Sequence, residues 1–379
     1  MTLIAHMADV HLGYSQYGLS EREEDVYEAF EEAVELIQRE HASVLLIAGD
    51  LFDSPRPPIK ALMKARDLLS RLKDHGVEIY HVIGDHEIPR RVGDLPPTAI
   101  LEGVSKHIGL RNAEAFNGIT LTGLDRVKPS VSGEAFEKLR LLAEKAGERK
   151  GKRILVSHIP LRGPESGLSK LPEGYDYYAL GHEHDRRIFS VKGSVAAYSG
   201  SIEIFSVSEI EAWEKAGKGF LLVDFSGSEP IVHEINLESI RPQRFFTLRV
   251  EELLGVLEEA AEWSSAQRKK PVVHFKIMGK PVDRMMVARE IQEKLSGKVL
   301  HHRYEVLEEV EAVEKIGEAS KIDMRSILAE YMSSRGFSEA EVELALSIYE
   351  AYVARGAEGV ERLVLRRAEE VESHDDPEG

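Results

Sequence analysis

The sequence predicts an α/β protein with a small α+β segment and a helical pair appended, and two observations carry that reading. From residue 3 to about 200, short apolar runs alternate with stretches of helical spacing, the pattern of a largely parallel sheet with helices packed on it. Beyond 240 the order changes to a compact strand–helix repeat and then to two amphipathic helices.

In chain order, LIAHMA, VLLIA, EIYHVI, ITLTGL, RILVS and YYALG read as strands, with helices expected over 22–40, 58–74 and 132–149. VAAYSGSIEIF, KGFLLVDFS and PIVHEINL follow with no helical spacing between them, which predicts an antiparallel sheet. The first domain is expected to cover 1–240. Residues 244–306 read strand, helix, strand, helix, strand, so a second domain is expected over 241–306, with RPQR at 241–244 as its hinge. The acidic stretch 307–319 predicts a linker helix. A helical pair is expected over 320–370, because Met324, Ile327, Leu328 and Tyr331 fall at i, i+3, i+4 and i+7. Gly336 closes the first helix. Ser338 and Glu341 then form a capping box, with Phe337 and Val342 placed as a hydrophobic staple. The acidic end, EEVESHDDPEG from 369, predicts disorder, leaving 371–379 as a tail.

Composition narrows the chemistry. Apolar residues make up 42% and charged residues 30%, as in a globular protein. No apolar run reaches membrane-spanning length and no basic-apolar leader opens the chain, so a cytoplasmic protein without a membrane span is expected. There is no cysteine, so any metal must be held by nitrogen and oxygen. A net charge of -17 argues against wrapping nucleic acid by bulk attraction and leaves that task to local cations. Only three Asn and five Gln, with abundant Glu, Lys and Arg, lean towards a thermophile.

The strands share one feature. LIAHMA runs into Asp9-Val10-His11, VLLIA into Gly49-Asp50, EIYHVI into Gly84-Asp85-His86, RILVS into His158, and YYALG into His182-Glu183-His184. In a parallel sheet the carboxyl ends of strands lie on one edge, where ligands bind. A single Asp or His after a strand is ordinarily a polar turn. Five in order, all of metal-compatible type, predict a shared metal site. The other ten histidines, His301-His302 among them, show no such grouping and read as ordinary.

The ordered set Asp-x-His, Gly-Asp, Gly-Asp-His, Ser-His and Gly-His-x-His resembles the calcineurin-like metallophosphoesterase superfamily. Within it, MADVHLGYSQYG, LLIAGDLFDSPRP and ALGHEH resemble the SbcD-type, or meiotic recombination, double-strand-break repair nucleases of archaea. The resemblance spans the whole length. It implies a four-layer α/β sandwich, two packed sheets flanked by helices, with 241–306 as a DNA-binding capping domain. It implies two Mn²⁺ ions, with Mg²⁺, Fe²⁺ or Zn²⁺ as alternatives. One ion would take Asp9, His11, Asp50 and His184; the other Asp50, Asp85, His158 and His182. It implies hydroxide attack on the phosphodiester, with His86 stabilising the leaving oxygen or the transition state. The activities implied are 3′-to-5′ exonuclease and single-strand endonuclease on DNA ends, single- and double-stranded.

Two positions depart from the family pattern. Asp85 stands where Asn is usual, and Asp53 where some members carry His; Asp53 is expected to orient His86 or to back up the ligands. Arg56, Arg90, Arg91, Arg162, Arg186 and Arg187 follow the strand ends and predict a basic rim for phosphates, with Arg268-Lys269-Lys270 at the duplex flank. The resemblance also implies a homodimer through helices near 59–73 and 96–105, involving Leu62, Met63, Leu69, Ile100 and Leu101. It implies a zinc-hook ABC ATPase of the SbcC type gripped by 320–370. Two other readings remain open. One is a phosphoprotein phosphatase or small-molecule phosphodiesterase, although GDLFD departs from the phosphatase pattern at Ser54-Pro55. The other is a DNA-end tether that does not cut.

Overall fold

The computed structural model describes residues 2–91, 93–110, 113–127, 132–148, 150–161, 167–279, 283–308 and 324–372. Two compact units, Met1–Glu309 and Val310–Gly379, divide the chain. In the first unit, strands β1 (Leu3–Met7), β2 (Val44–Ala48), β3 (Glu78–Val82) and β4 (Lys106–His107) run parallel in one sheet. Helices α1 (Ser20–Arg39) and α2 (Ile59–Asp74) make the crossovers. The second sheet holds β5 (Glu114–Phe116), β6 (Ile119–Leu124), β7 (Lys152–His158), β8 (Tyr177–Gly181), β9 (Arg187–Val191) and β10 (Ser194–Tyr198), with α3 (Ser132–Gly147) between β6 and β7. Here β6, β7, β8 and β10 are parallel. The chain then returns through α4 (Ile210–Ala216) to β11 (Gly219–Asp224), which extends the first sheet antiparallel to β1, and to β12 (Ile231–Asn236), antiparallel to β11 at the edge.

Period-two alternation stacks these layers. In β2, Val44, Leu46 and Ala48 face the second sheet, while Leu45 and Ile47 face α1 and α2. In β8, Tyr177 and Ala179 face the first sheet, while Tyr178 and Leu180 pack in the cluster that holds Leu139 of α3. Three apolar layers result, one between the sheets and one under the helices of each, which is the four-layer sandwich. The strands read as unbroken apolar runs because both faces of each sheet are covered.

A third, three-stranded parallel sheet follows: β13 (Gln243–Arg249), α5 (Leu253–Ser265), β14 (Val272–Gly279), α6 (Arg284–Leu295) and β15 (His301–Glu308). Both helices cover one face, over a core that includes Phe246, Leu257, Phe275 and Ile291. In the second unit, α7 (Met324–Ser334) and α8 (Glu339–Glu372) form the helical pair. The capping box is present: Ser338 N donates to Glu341 Oε2 at 2.7 Å, and Glu341 N donates to Ser338 Oγ at 3.4 Å.

Several expectations change. Of the three segments read as one antiparallel sheet, the last two pair antiparallel as β11 and β12, but β10 joins the second sheet parallel to β8, SIEIF is not a strand, and α4 intervenes before β11. That helix is seven residues long, too short for a periodic signal, and Gly217 at φ 73° ends it. The helix expected over 96–105 is a single 3₁₀ turn, Pro97–Leu101, bounded by Pro96 and by Gly103 at φ 79°. RPQR is not a loose hinge. Arg241 bonds both oxygens of Asp25, and Gln243, fully buried, donates to Gln16 Oε1 and the Ile204 carbonyl at 3.0 and 3.1 Å. Strand β15 runs through Leu307 and Glu308, into the expected linker; the rest of that linker, 309–319, lies outside the described residues. Helix α8 continues to Glu372, past the expected start of the tail, and 373–379 lie outside the described residues.

Candidate metal centre

Five strands deliver the candidate ligands to one edge. Asp9 and His11 follow β1, Asp50 follows β2, Asp85 follows β3, His158 ends β7, and His182 and His184 follow β8. Glycines let the backbones close on this point, between the sheets at Gly181 and within the first sheet at Gly84. A Cβ on Gly181 would lie 2.0 Å from the Ala48 carbonyl oxygen, and one on Gly84 would lie 2.2 Å from Asp50 Oδ1. The turns themselves are unusual. Asp9, His11, Asp50 and His182 have φ of 53°, 52°, 50° and 102°, a region that L-residues enter at a cost and that clusters at functional sites.

The side chains converge in overlapping groups whose ligand atoms lie within 4.8 Å of one another: Asp9–His11–His184, Asp85–His158–His182, Asp9–Asp50–His158, and His11–Asp53–His86. His11 Nε2 faces His184 Nε2 at 3.2 Å, and His182 Nδ1 faces Asp85 Oδ2 at 2.9 Å. His158 Nε2 is buried without a hydrogen bond, 3.2 Å from Asp50 Oδ2. Two facing ring nitrogens and a buried imidazole nitrogen without a hydrogen bond beside a carboxylate are what a cation would satisfy. The donor set, carboxylate and imidazole without thiolate, therefore fits divalent metal, with Asp50 between the two outer groups. The outer ring nitrogens are fixed: His158 Nδ1 lies 2.8 Å from the Ala48 carbonyl and His184 Nδ1 lies 3.0 Å from Glu209 Oε1.

The electrostatics agree. Burial would raise Asp50, but His158 outweighs it and holds this carboxyl below its ordinary value. Burial would lower His158, but Asp50, Asp9 and Asp85 push it up to about 10. A field that retains a proton this firmly draws a metal cation by the same attraction. His86 is pushed up to about 9, chiefly by its hydrogen bond to Asp53 and against the effect of burial. Its Nδ1 lies 2.9 Å from the Asp53 carbonyl and 3.4 Å from Asp53 Oδ1, and its side chain is 48% exposed. Asp53 also approaches His11 Nδ1 at 3.4 Å, so it links the two histidines.

Three residues here escaped the sequence reading. Arg126, just after β6, bonds Asp85 Oδ1, leaving Oδ2 towards His182. Glu209, before α4, holds His184 and is itself held by Lys218 and Ser201. Glu87, fully buried, accepts from Phe52 N and Gly84 N, each at 3.1 Å, and so ties the loops after β2 and β3. None carries a local motif; only the adjacency of Glu87 to His86 was a signal.

Of the expected basic rim, Arg56, Arg90, Arg91 and Arg187 are exposed. Arg186 is not part of it. Its side chain is 3% exposed and bonds Glu234, Asn236 and the Ile235 carbonyl, so it fastens β12 instead of meeting phosphate. Lys269 is likewise a strut, bonded to Asp25, Glu28 and the Ser239 carbonyl. Arg162 lies outside the described residues. Of the expected dimer residues, Leu69 and Leu101 are core, whereas Met63 and Ile100 are exposed. Among the histidines read as ordinary, His6 is paired with Tyr177 and His107 with Asp125.

Residues 2–186 match the calcineurin-like phosphoesterase family. The DNA double-strand break repair protein Mre11 of Saccharolobus solfataricus is 33% identical over 92% of this chain and 94% of its own. That of Methanocaldococcus jannaschii is 32% identical over 92% and 94%, and that of Sulfurisphaera tokodaii 34% identical over 77% of each.

Proposed function

The chain belongs to the Mre11 family of DNA double-strand break repair proteins, a metal-dependent phosphodiesterase on a calcineurin-like domain, and we propose that it is a manganese-dependent DNA nuclease. Its cutting is 3′-to-5′ exonucleolytic on broken ends and endonucleolytic on single strands. The observation that carries this is the convergence of Asp9, His11, Asp50, Asp85, His158, His182 and His184 from five strand ends of two sheets. The fold implies a dinuclear metal site. A pair of ions held there supplies an activated water and offsets charge on the phosphate. Asp50 stands between the two groups and would bridge them. His86 has Nδ1 committed to Asp53, which leaves Nε2 to give a proton to the leaving sugar oxygen. Arg56, Arg90, Arg91 and Arg187 would hold the backbone on either side.

Exposed apolar residues support the assemblies. Ile59 and Met63 of α2, Leu95 just before the 3₁₀ turn and Ile100 within it are 75%, 59%, 77% and 38% exposed, apolar surface suited to a second copy. On the helical pair, Ile327, Tyr331, Leu344, Ile348 and Tyr352 are all exposed. That open stripe suits a helix of the coiled coil of a zinc-hook ATPase.

Incubation with labelled single-stranded and duplex DNA, in manganese or in chelator, tests the reading. Degradation that needs metal and disappears in Asp9→Asn is expected. Retention of DNA without cutting would make the chain a tether, and hydrolysis confined to phosphoproteins or small diesters would make it one of the other phosphoesterases.

A further inference from the structure

The third sheet carries helices on one face only. Across its other face the register sets Phe245 beside His274 beside Arg303, and in the next row Thr247 beside Lys276 beside Glu305. Phe245 is 42% exposed, and Arg303 is also exposed. Between this face and the loop before α1 lies a cavity of about 670 Å³ lined by Tyr17, Phe245, His274, Arg284, Arg303 and Glu305, among others. Tyr17 sits in the left-handed region, at φ 60°. Its ring stacks on His301 at 4.8 Å with planes 27° apart, and Arg303 Cζ lies 5.1 Å from its centre. Burial, with His301 and Arg303, pushes His274 down to about 4, so that ring is neutral at neutral pH.

One chain segment borders both the cavity and the metal centre. Val207 lines it, and Phe205, two residues earlier along extended chain, packs against His11 and His184 at 5.0 and 5.6 Å. Tyr14, three residues before Tyr17, also packs on Phe205, at 5.3 Å. The segment Phe205–Val207 thus touches the metal centre at one end and the cavity at the other.

The geometry points to a nucleobase pocket: Phe245 presents an aromatic face to an unpaired base beside the Tyr17–His301 stack, and Arg303 and Arg284 meet the adjoining phosphate of single-stranded DNA. The chemistry favours a base over a peptide side chain. Planar aromatic surface with guanidinium beside it is the platform on which single strands stack, and stacking needs no sequence match. In a chain of net charge -17, cations gathered on one face mark where a polyanion is tolerated. This pocket rests on the nuclease reading, since it supposes a DNA strand in the cleft.

The test uses the full chain in EDTA, so that binding is read without cutting. Fluorescence anisotropy with a labelled twelve-nucleotide oligo-dT, an abasic strand of equal length and a blunt duplex gives three affinities. Phe245→Ala is expected to weaken oligo-dT about ten-fold, Phe245→Trp to restore it, and both to leave the abasic strand and the duplex unchanged. Arg303→Gln should weaken oligo-dT and the abasic strand alike. Equal affinity of the unaltered chain for oligo-dT and the abasic strand would overturn the pocket, as would a Phe245→Ala variant that binds oligo-dT normally. Separately, hydrolysis of bis(p-nitrophenyl) phosphate by the unaltered chain in manganese reports the metal centre whatever the sheet binds. Its absence would strike the nuclease reading, whereas the oligonucleotide affinities alone decide the pocket.

Discussion

Asp85 divides its carboxylate between Arg126 and the side of the site where His182 lies. The guanidinium fixes the rotamer and offsets part of the negative charge, so the carboxylate acts more like a neutral oxygen donor than its formal charge suggests. Asp85→Asn therefore removes an anion and leaves Arg126 unopposed beside a cation. Manganese affinity, read by titration calorimetry, should fall about ten-fold or more, and Asp85→Asn with Arg126→Gln should recover part of that loss. Unchanged affinity in the single variant would remove Asp85 from the ligands. Much of this centre was legible at the residue scale, because strand ends finishing in Asp or His announce themselves in one dimension. Its supports were not. Arg126 lies 41 residues from Asp85 and Glu209 lies 25 from His184, and nothing in either local sequence says where it will point. Arg186 failed in the opposite sense: an Arg beside a motif looked like a phosphate contact, but its donors close a structural joint.

At the scale of elements, long runs were readable and short ones were not. Strands β1, β2, β3, β7 and β8 and helices α1, α2 and α3 declare themselves by continuous apolarity or helical period. The two-residue β4, the three-residue β5 and the seven-residue α4 are fixed by neighbours and carry no period of their own. The junction to the third sheet shows the same dependence on tertiary contact. Asp25 of α1 gathers Arg22, Arg241 and Lys269. Burial would raise its carboxyl, but these partners, Arg241 first, hold it below its ordinary 3.8. A carboxylate depressed in the folded state contributes stability above its unfolded value and loses it as pH falls through the folded one. Melting temperature should therefore drop steeply below about pH 4. Asp25→Asn should be less stable at pH 7 and show a shallower acid decline. An unaltered acid profile in that variant would mean the joint is electrostatically idle.

For the whole molecule, the two sheets meet at a glycine. Gly181→Ala would push a methyl group onto the Ala48 carbonyl, and overpacking of this kind costs about 1–3 kcal/mol. The larger consequence should be a manganese stoichiometry below two, since the donors come from both sheets. The exposed and buried members of the expected dimer face separate by experiment. Met63→Glu with Ile59→Glu should yield monomer by light scattering at an unchanged melting temperature. Leu69→Ala should lower stability by about 2–5 kcal/mol without changing the association state. Four of the candidate donors, Asp9, His11, Asp50 and His182, stand at left-handed backbone angles. The conformational cost of shaping the cage is thus met when the polypeptide folds, not when an ion arrives. Capture should then proceed without chain rearrangement, with a small heat-capacity change and an on-rate that water exchange limits, and an emptied cage should keep its form between turnovers.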